Sequence, residues 1–136
     1  MNTRYLFALG VGLMALFPVS AYAVVPTQEQ PYAVVRALDK MTARVEEITL
    51  PVGKAVSFMT LNITAKTCKT TLPEETPPES SAYLDVTESK GEAKETPVFK
   101  GWMFASSPAL SAMEHPIYDI WVIGCRDKTS SSNSSQ

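Results

Sequence analysis

Residues 99–125, FKGWMFASSPALSAMEHPIYDIWVIGC, hold both tryptophans, two of the five phenylalanines, the single histidine and one of the two cysteines. Aromatic side chains bury the most area per residue, so this segment supplies the core of whatever the chain folds into. Two prolines inside it decide its form. Pro108 follows Ser106 and Ser107 and suits the first position of a helix, with Ser107 as N-cap. Pro116 disfavours helical geometry at His115, so that helix can only be short. The flanks are extended. Residues 98–104 are apolar and aromatic around Lys100 and Gly101, which suits a strand with the glycine at a bulge or a close backbone approach. In residues 117–125, Ile117, Asp119, Trp121 and Ile123 point one way and Tyr118, Ile120, Val122 and Gly124 the other. Both faces are largely apolar, which predicts a central strand covered on two sides.

The first 23 residues read as an export signal. Arg4 gives the positive start, residues 5–17 an apolar run of about 13, and Ala21-Tyr22-Ala23 a cleavage site before Val24. A membrane-spanning helix needs about 20 residues, so an uncleaved anchor is the weaker reading. No cysteine beside the cleavage site offers lipid attachment, and no transmembrane segment is expected in the mature chain. That chain runs over 113 residues, from Val24 to Gln136, enough for one modest core. Without Arg4 it carries 11 basic against 14 acidic residues, a formal charge of −3. Scattered, mildly acidic charge excludes the basic footprint of a nucleic-acid binder and the basic cluster that an anionic membrane surface would attract.

Alternation and turn residues divide the rest. Residues 24–31 read as an extended lead-in, 32–38 and 44–52 as strands, and 56–68 as the longest strand, with a bend or bulge partway. Residues 70–80 carry Pro73, Pro77 and Pro78 among glutamates and read as a solvated loop rather than a polyproline ligand. Residues 82–87 are another strand, 88–97 a charged exposed turn, and 128–136 a disordered serine-rich tail after a single domain of residues 32–127. About six short strands and one helical turn predict an all-β fold, a small antiparallel barrel or sandwich. Cys68 and Cys125 are an even pair in an exported chain, for which the default is one disulfide pinning together the end of the strand before Cys68 and the end of the strand before Cys125. The competing reading is a reactive thiol, with Lys66 and Lys69 flanking Cys68 but no C-x-x-C motif.

Three stretches, LDKMTARVEEITLPVGKAVSFMTLNITAKTC, EETPPESSAYLDV and the 99–125 segment, together resemble domain of unknown function 2155, a family of small exported alphaproteobacterial proteins. The resemblance runs over roughly residues 34–126. It implies an export signal, one small domain and the two cysteines, and brings no reaction, ligand or residue role with it.

Chemistry must therefore be sought in the residues. Ser111 and His115, four apart, with Glu114 or Asp119, imitate a Ser-His-Asp set, but neither a nucleophile elbow nor an oxyanion-hole sequence accompanies them. His115, Glu114, Asp119 and Met113 could contribute to a metal site, yet one histidine falls short of a zinc ligand set, and the methionines serve equally as core filler. The triplets at Asn62 and Asn133 fit glycosylation acceptors by chance. No enzyme activity and no cofactor is expected. What remains is recognition by the compact polar loop of residues 105–116, held between two core strands. The candidate binding residues are Trp102, Ser106, Ser107, Glu114, His115 and Tyr118. They point to a periplasmic protein that binds or scaffolds an envelope protein or assembly. The alternative is a small-ligand or metal-binding module with a pocket beside Trp102 and His115.

Overall fold

The computed structural model describes residue 21, residues 23–91 and residues 94–128. The expected export signal, apart from Ala21 and Ala23, lies outside these residues, as does the serine-rich tail beyond Lys128, with its triplet at Asn133. Strands dominate: β1 (Thr27–Glu29), β2 (Tyr32–Asp39), β3 (Arg44–Pro51), β4 (Ala55–Phe58), β5 (Leu61–Thr71), β6 (Ser80–Glu88), β7 (Thr96–Phe104) and β8 (Tyr118–Arg126). Among the described residues the one helical element is a 3-10 turn, η1 (Pro108–Ser111).

All pairings are antiparallel. One sheet runs β1-β5-β6-β7, with β4 on the same side of β5 as β1; the other runs β3-β2-β8. Neither closes on itself, so the architecture is a sandwich and not a barrel. Alternation builds the core between the sheets: Ala33, Val35 and Ala37 from β2 face Leu61, Ile63, Ala65, Leu84 and Val86 from β5 and β6. Each fully buried valine, leucine or isoleucine side chain contributes about 1.5–3 kcal/mol relative to exposure. Cys68 of β5 and Cys125 of β8 are joined across this core, Cα to Cα 5.8 Å, so the bond ties one sheet to the other.

Several expectations change. Residues 56–68 carry the expected bulge, at Lys66, but they are not one strand: they form a hairpin in which Phe58 pairs with Leu61 across Met59-Thr60, and Met59 takes a positive φ of 51°. Phe58 and Leu61 are both buried three residues apart, which alternation along one strand cannot achieve and a two-residue turn can. The lead-in contributes β1, whose register on β5 continues with the Gln30 amide donating to the Cys68 carbonyl at 2.8 Å. The bulge in β7 falls at Val98 and not at Gly101; Gly101 instead lies against the Phe99 ring, 3.4 Å from where a Cβ would stand. Finally, β8 is an edge strand. Only β2 pairs with it, and its outward face of Asp119, Trp121 and Ile123 is half-buried with no layer upon it among the described residues.

Candidate functional site

The loop of residues 105–117 leaves β7 at one end of the sandwich and enters β8 at the other, and it is anchored at both. At its start the Ala105 amide donates to the Ser80 carbonyl at 2.8 Å. The Ser106 amide and hydroxyl both donate to the Glu79 carboxylate, which also accepts from the Ser80 amide at 2.9 Å. Ser106 is therefore occupied in fastening the loop. Ser107 precedes η1 but its hydroxyl makes no capping bond; its amide donates to the Phe104 carbonyl and its carbonyl accepts from Leu110. Pro108 at the start of the turn has no amide to cap, and the Leu110 amide is already taken by the Ser107 carbonyl.

At the far end His115 is the anchor. Its side chain is only 6% exposed. Nδ1 accepts from the amides of Ile117 and Tyr118, each at 3.1 Å. A nitrogen that accepts carries no proton, so Nε2 bears it and donates towards Glu88 Oε1, 3.3 Å away. The ring stacks on Tyr118, which packs edge-on against Phe58. Glu88 is buried, and it also accepts from the Thr60 hydroxyl at 3.1 Å and pairs with Lys90 at 3.3 Å. Lys40 clamps the same corner, donating to the His115 carbonyl at 2.7 Å and pairing with Asp119 at 3.1 Å.

Burial works to raise the Glu88 carboxyl, but hydrogen bonds from Thr60 and Lys90, the charge of Lys90 and, least, the electrostatic influence of the His115 ring outweigh it, and the group titrates below its ordinary value. The unfolded chain therefore holds this proton more tightly than the folded one. The stability Glu88 contributes is complete above its unfolded value, about pH 4, and is lost as pH falls through the lower folded value. Urea unfolding at neutral and acid pH should show the midpoint of the native chain falling on acidification, and that of Glu88→Gln falling less. Equal slopes would mean that other carboxylates carry the acid limb.

Of the sequence-derived candidates, His115 and Tyr118 meet here, and Ser106 holds the other anchor. Glu114 is exposed on the loop. Trp102 is elsewhere. It sits on the outer face of its sheet, 37% exposed and edge-on to Tyr83 at 5.6 Å, whereas His115 reaches the buried Glu88 of the inner face. The expected pocket beside Trp102 and His115 is thus not formed. The imitation triad fails too, because both nitrogens of His115 already have partners and none is left to activate Ser111. Among the described residues no three His, Cys, Asp or Glu side chains converge on a metal-sized site.

Sequence reasoning passed over Glu79, Glu88, Thr60 and Lys40. Glu88, read as the start of an exposed turn, continues the inward alternation Ala82, Leu84, Val86, and that phase was the available signal. Between η1 and β8 lies a cleft of about 330 Å3, lined by Pro108, Ala109, Ala112, Met113, Ile120 and Trp121, with Asp119 at its edge.

A family model described as "uncharacterized protein conserved in bacteria" matches residues 33–125. The "Uncharacterized protein RP359" of Rickettsia prowazekii (strain Madrid E) is 40% identical over 91 residues, 65% of this chain and 57% of the relative, so the match spans little more than half of that protein. No solved structure matches the chain. The matched residues run from the second position of β2 to the disulfide cysteine of β8, and they contain both anchors of the loop: the chain belongs to the bacterial family of domain of unknown function 2155.

Proposed function

We propose that this chain is a non-enzymatic binding or scaffolding protein of the periplasm whose target is an envelope protein or assembly. The reading rests on one observation. Leu110 is 72% exposed on the crest of a loop whose two ends are fixed by Glu79 and by the His115 and Lys40 contacts. Exposed Pro108, Ala109 and Ala112 extend this apolar crest, with Glu114 beside it. An apolar surface displayed on a loop that cannot relax inward loses little conformational freedom on binding. The buried disulfide suits an oxidising compartment, and among the described residues no helix is long and apolar enough to cross a membrane. The alternative small-ligand or metal module no longer has the shared Trp102 and His115 pocket it required.

A photo-crosslinking residue placed at Glu114 in living cells is expected to give a discrete protein adduct, identified by mass spectrometry. Adding Leu110→Glu should reduce its yield at least tenfold, and a crosslinker at Trp102, on the outer face of the other sheet, should give none. Adducts of equal yield from all positions, or from none, would overturn the assignment of this crest as the binding surface.

A further inference from the structure

The free edges of the two sheets are not alike. β3 carries Arg44, Glu46 and Glu47 and ends at Pro51. β7 carries Pro97 and Lys100 and is bulged at Val98. β1 and β4 have only three and four residues. Charge, proline, bulges and shortness are the features that keep an edge from pairing. β8 is bulged at Ile123, but it has nine residues, and Ile120, Trp121, Val122 and Ile123 run through its middle without a charge or a proline. Its composition is that of a central strand, yet among the described residues it has a neighbour on one side only.

We propose that the missing neighbour is β8 of a second copy. The two strands pair antiparallel about a two-fold axis between Val122 and Ile123, making one continuous six-stranded sheet from two three-stranded ones.

The bulge allows a register that two regular strands could not adopt. Directly opposed residues of an antiparallel pair lie on the same face of the sheet, so two regular identical strands can oppose only residues of like parity. In β8 the extra residue Ile123 breaks that parity. Asp119, Trp121, Gly124 and Arg126 stand opposite Leu38, Arg36, Val34 and Tyr32 of β2, and so all four share the outer face. A two-fold axis between Val122 and Ile123 then sets Asp119 against the partner's Arg126 and Trp121 against the partner's Gly124, and repeats both contacts at the other end. Ile120 and Cys125 meet on the inner face.

Each contact is complementary. Asp119 already pairs with Lys40, and Arg126 with Glu47 at 2.8 Å, so the interface lines up Lys40, Asp119, the partner's Arg126 and the partner's Glu47 in alternating sign. A Cβ placed on Gly124 would meet nothing within 4 Å. That open space is where the partner's Trp121 lies, an aromatic ring covering a glycine across strands. The cleft between η1 and β8 borders Asp119, Ile120 and Trp121, the half of the strand that would receive the small Gly124 and Cys125 of the other copy. Pro108, Ala109 and Ala112, which extend the apolar crest at Leu110, also line this cleft, so crest and interface adjoin.

Sedimentation of the disulfide-intact chain from micromolar to submillimolar concentration is expected to show a species of twice the chain mass, which Gly124→Glu converts to monomer. The open space at Gly124 lets that variant keep its fold, which near-ultraviolet circular dichroism of the tryptophans checks. A photo-crosslinking residue at position 121 should attach to an identical chain near residue 124. A monomer at every concentration, a Gly124→Glu dimer, or attachment far from β8 overturns the proposal. So does attachment to a different protein, which would assign the edge to strand addition by a foreign partner. Failure here leaves the crosslink from Glu114 to be judged independently.

Discussion

Replacing Cys68 and Cys125 together by alanine is expected to lower the folding free energy by about 4 kcal/mol, from the loop entropy returned to the unfolded chain. The two residues are 57 positions apart, and the closed loop contains β6, β7 and η1 entire. Total stability for a domain of this size is roughly 5–15 kcal/mol, so the change removes a large share of it. The native state is affected as well. β8 touches the other sheet mainly along β6, and Cys68 is wholly buried. Alanine is chosen over serine so that no hydroxyl is left unbonded in the core. Urea titration of the two proteins checks the result, and the variant should show a steeper dependence on urea because its unfolded chain exposes more surface. A midpoint shift worth less than about 1 kcal/mol would mean that the sheets are held together by packing alone.

That bond was readable from the sequence because two independent lines met: an even cysteine count behind an expected export signal, and a cysteine at the end of each of two apolar strands. The core was legible for a similar reason. Alternation in residues 44–52 and 82–87 has one solution, and the inward Ile48, Leu50, Ala82, Leu84 and Val86 follow it, whereas in β2 three successive residues, Ala33 to Val35, are buried. The hairpin at Met59 was hidden because a methionine and a threonine occupy a turn that usually advertises itself with glycine or asparagine. Tertiary contacts override that preference: the turn delivers the Thr60 hydroxyl to Glu88 and the Thr60 carbonyl to the Ser89 amide. Edge and centre were indistinguishable for β8, because composition records how apolar a strand's surroundings are and not how many neighbours it has within one chain. His115 was visible as a singular residue, but its partner was not, since Glu88 is 27 residues away and sits in a charged stretch that local composition assigns to solvent.

His115→Ala is the second large effect, with a loss of about 2–4 kcal/mol expected from leaving two backbone amides without their acceptor in a part-buried corner. The Ile117 and Tyr118 amides both point at Nδ1, and Tyr118 also loses the stacked ring that holds it against Phe58. Hydrogen exchange at these two amides should accelerate with the loss, and protection of the Ala105 amide, at the other anchor, should change much less. His115→Asn separates the causes. A carboxamide oxygen can accept from the amides two and three residues ahead, as Asp39 does at the tip of the opposite hairpin with Met41 and Thr42. It cannot reach Glu88 as the longer imidazole does. Recovery of amide protection by asparagine, with the acid sensitivity of Glu88 still altered, would make His115 two things at once: a turn-former towards its own backbone and a tether towards β6. If asparagine recovers neither, the contact with Glu88 is what orders the corner, and the amides follow it.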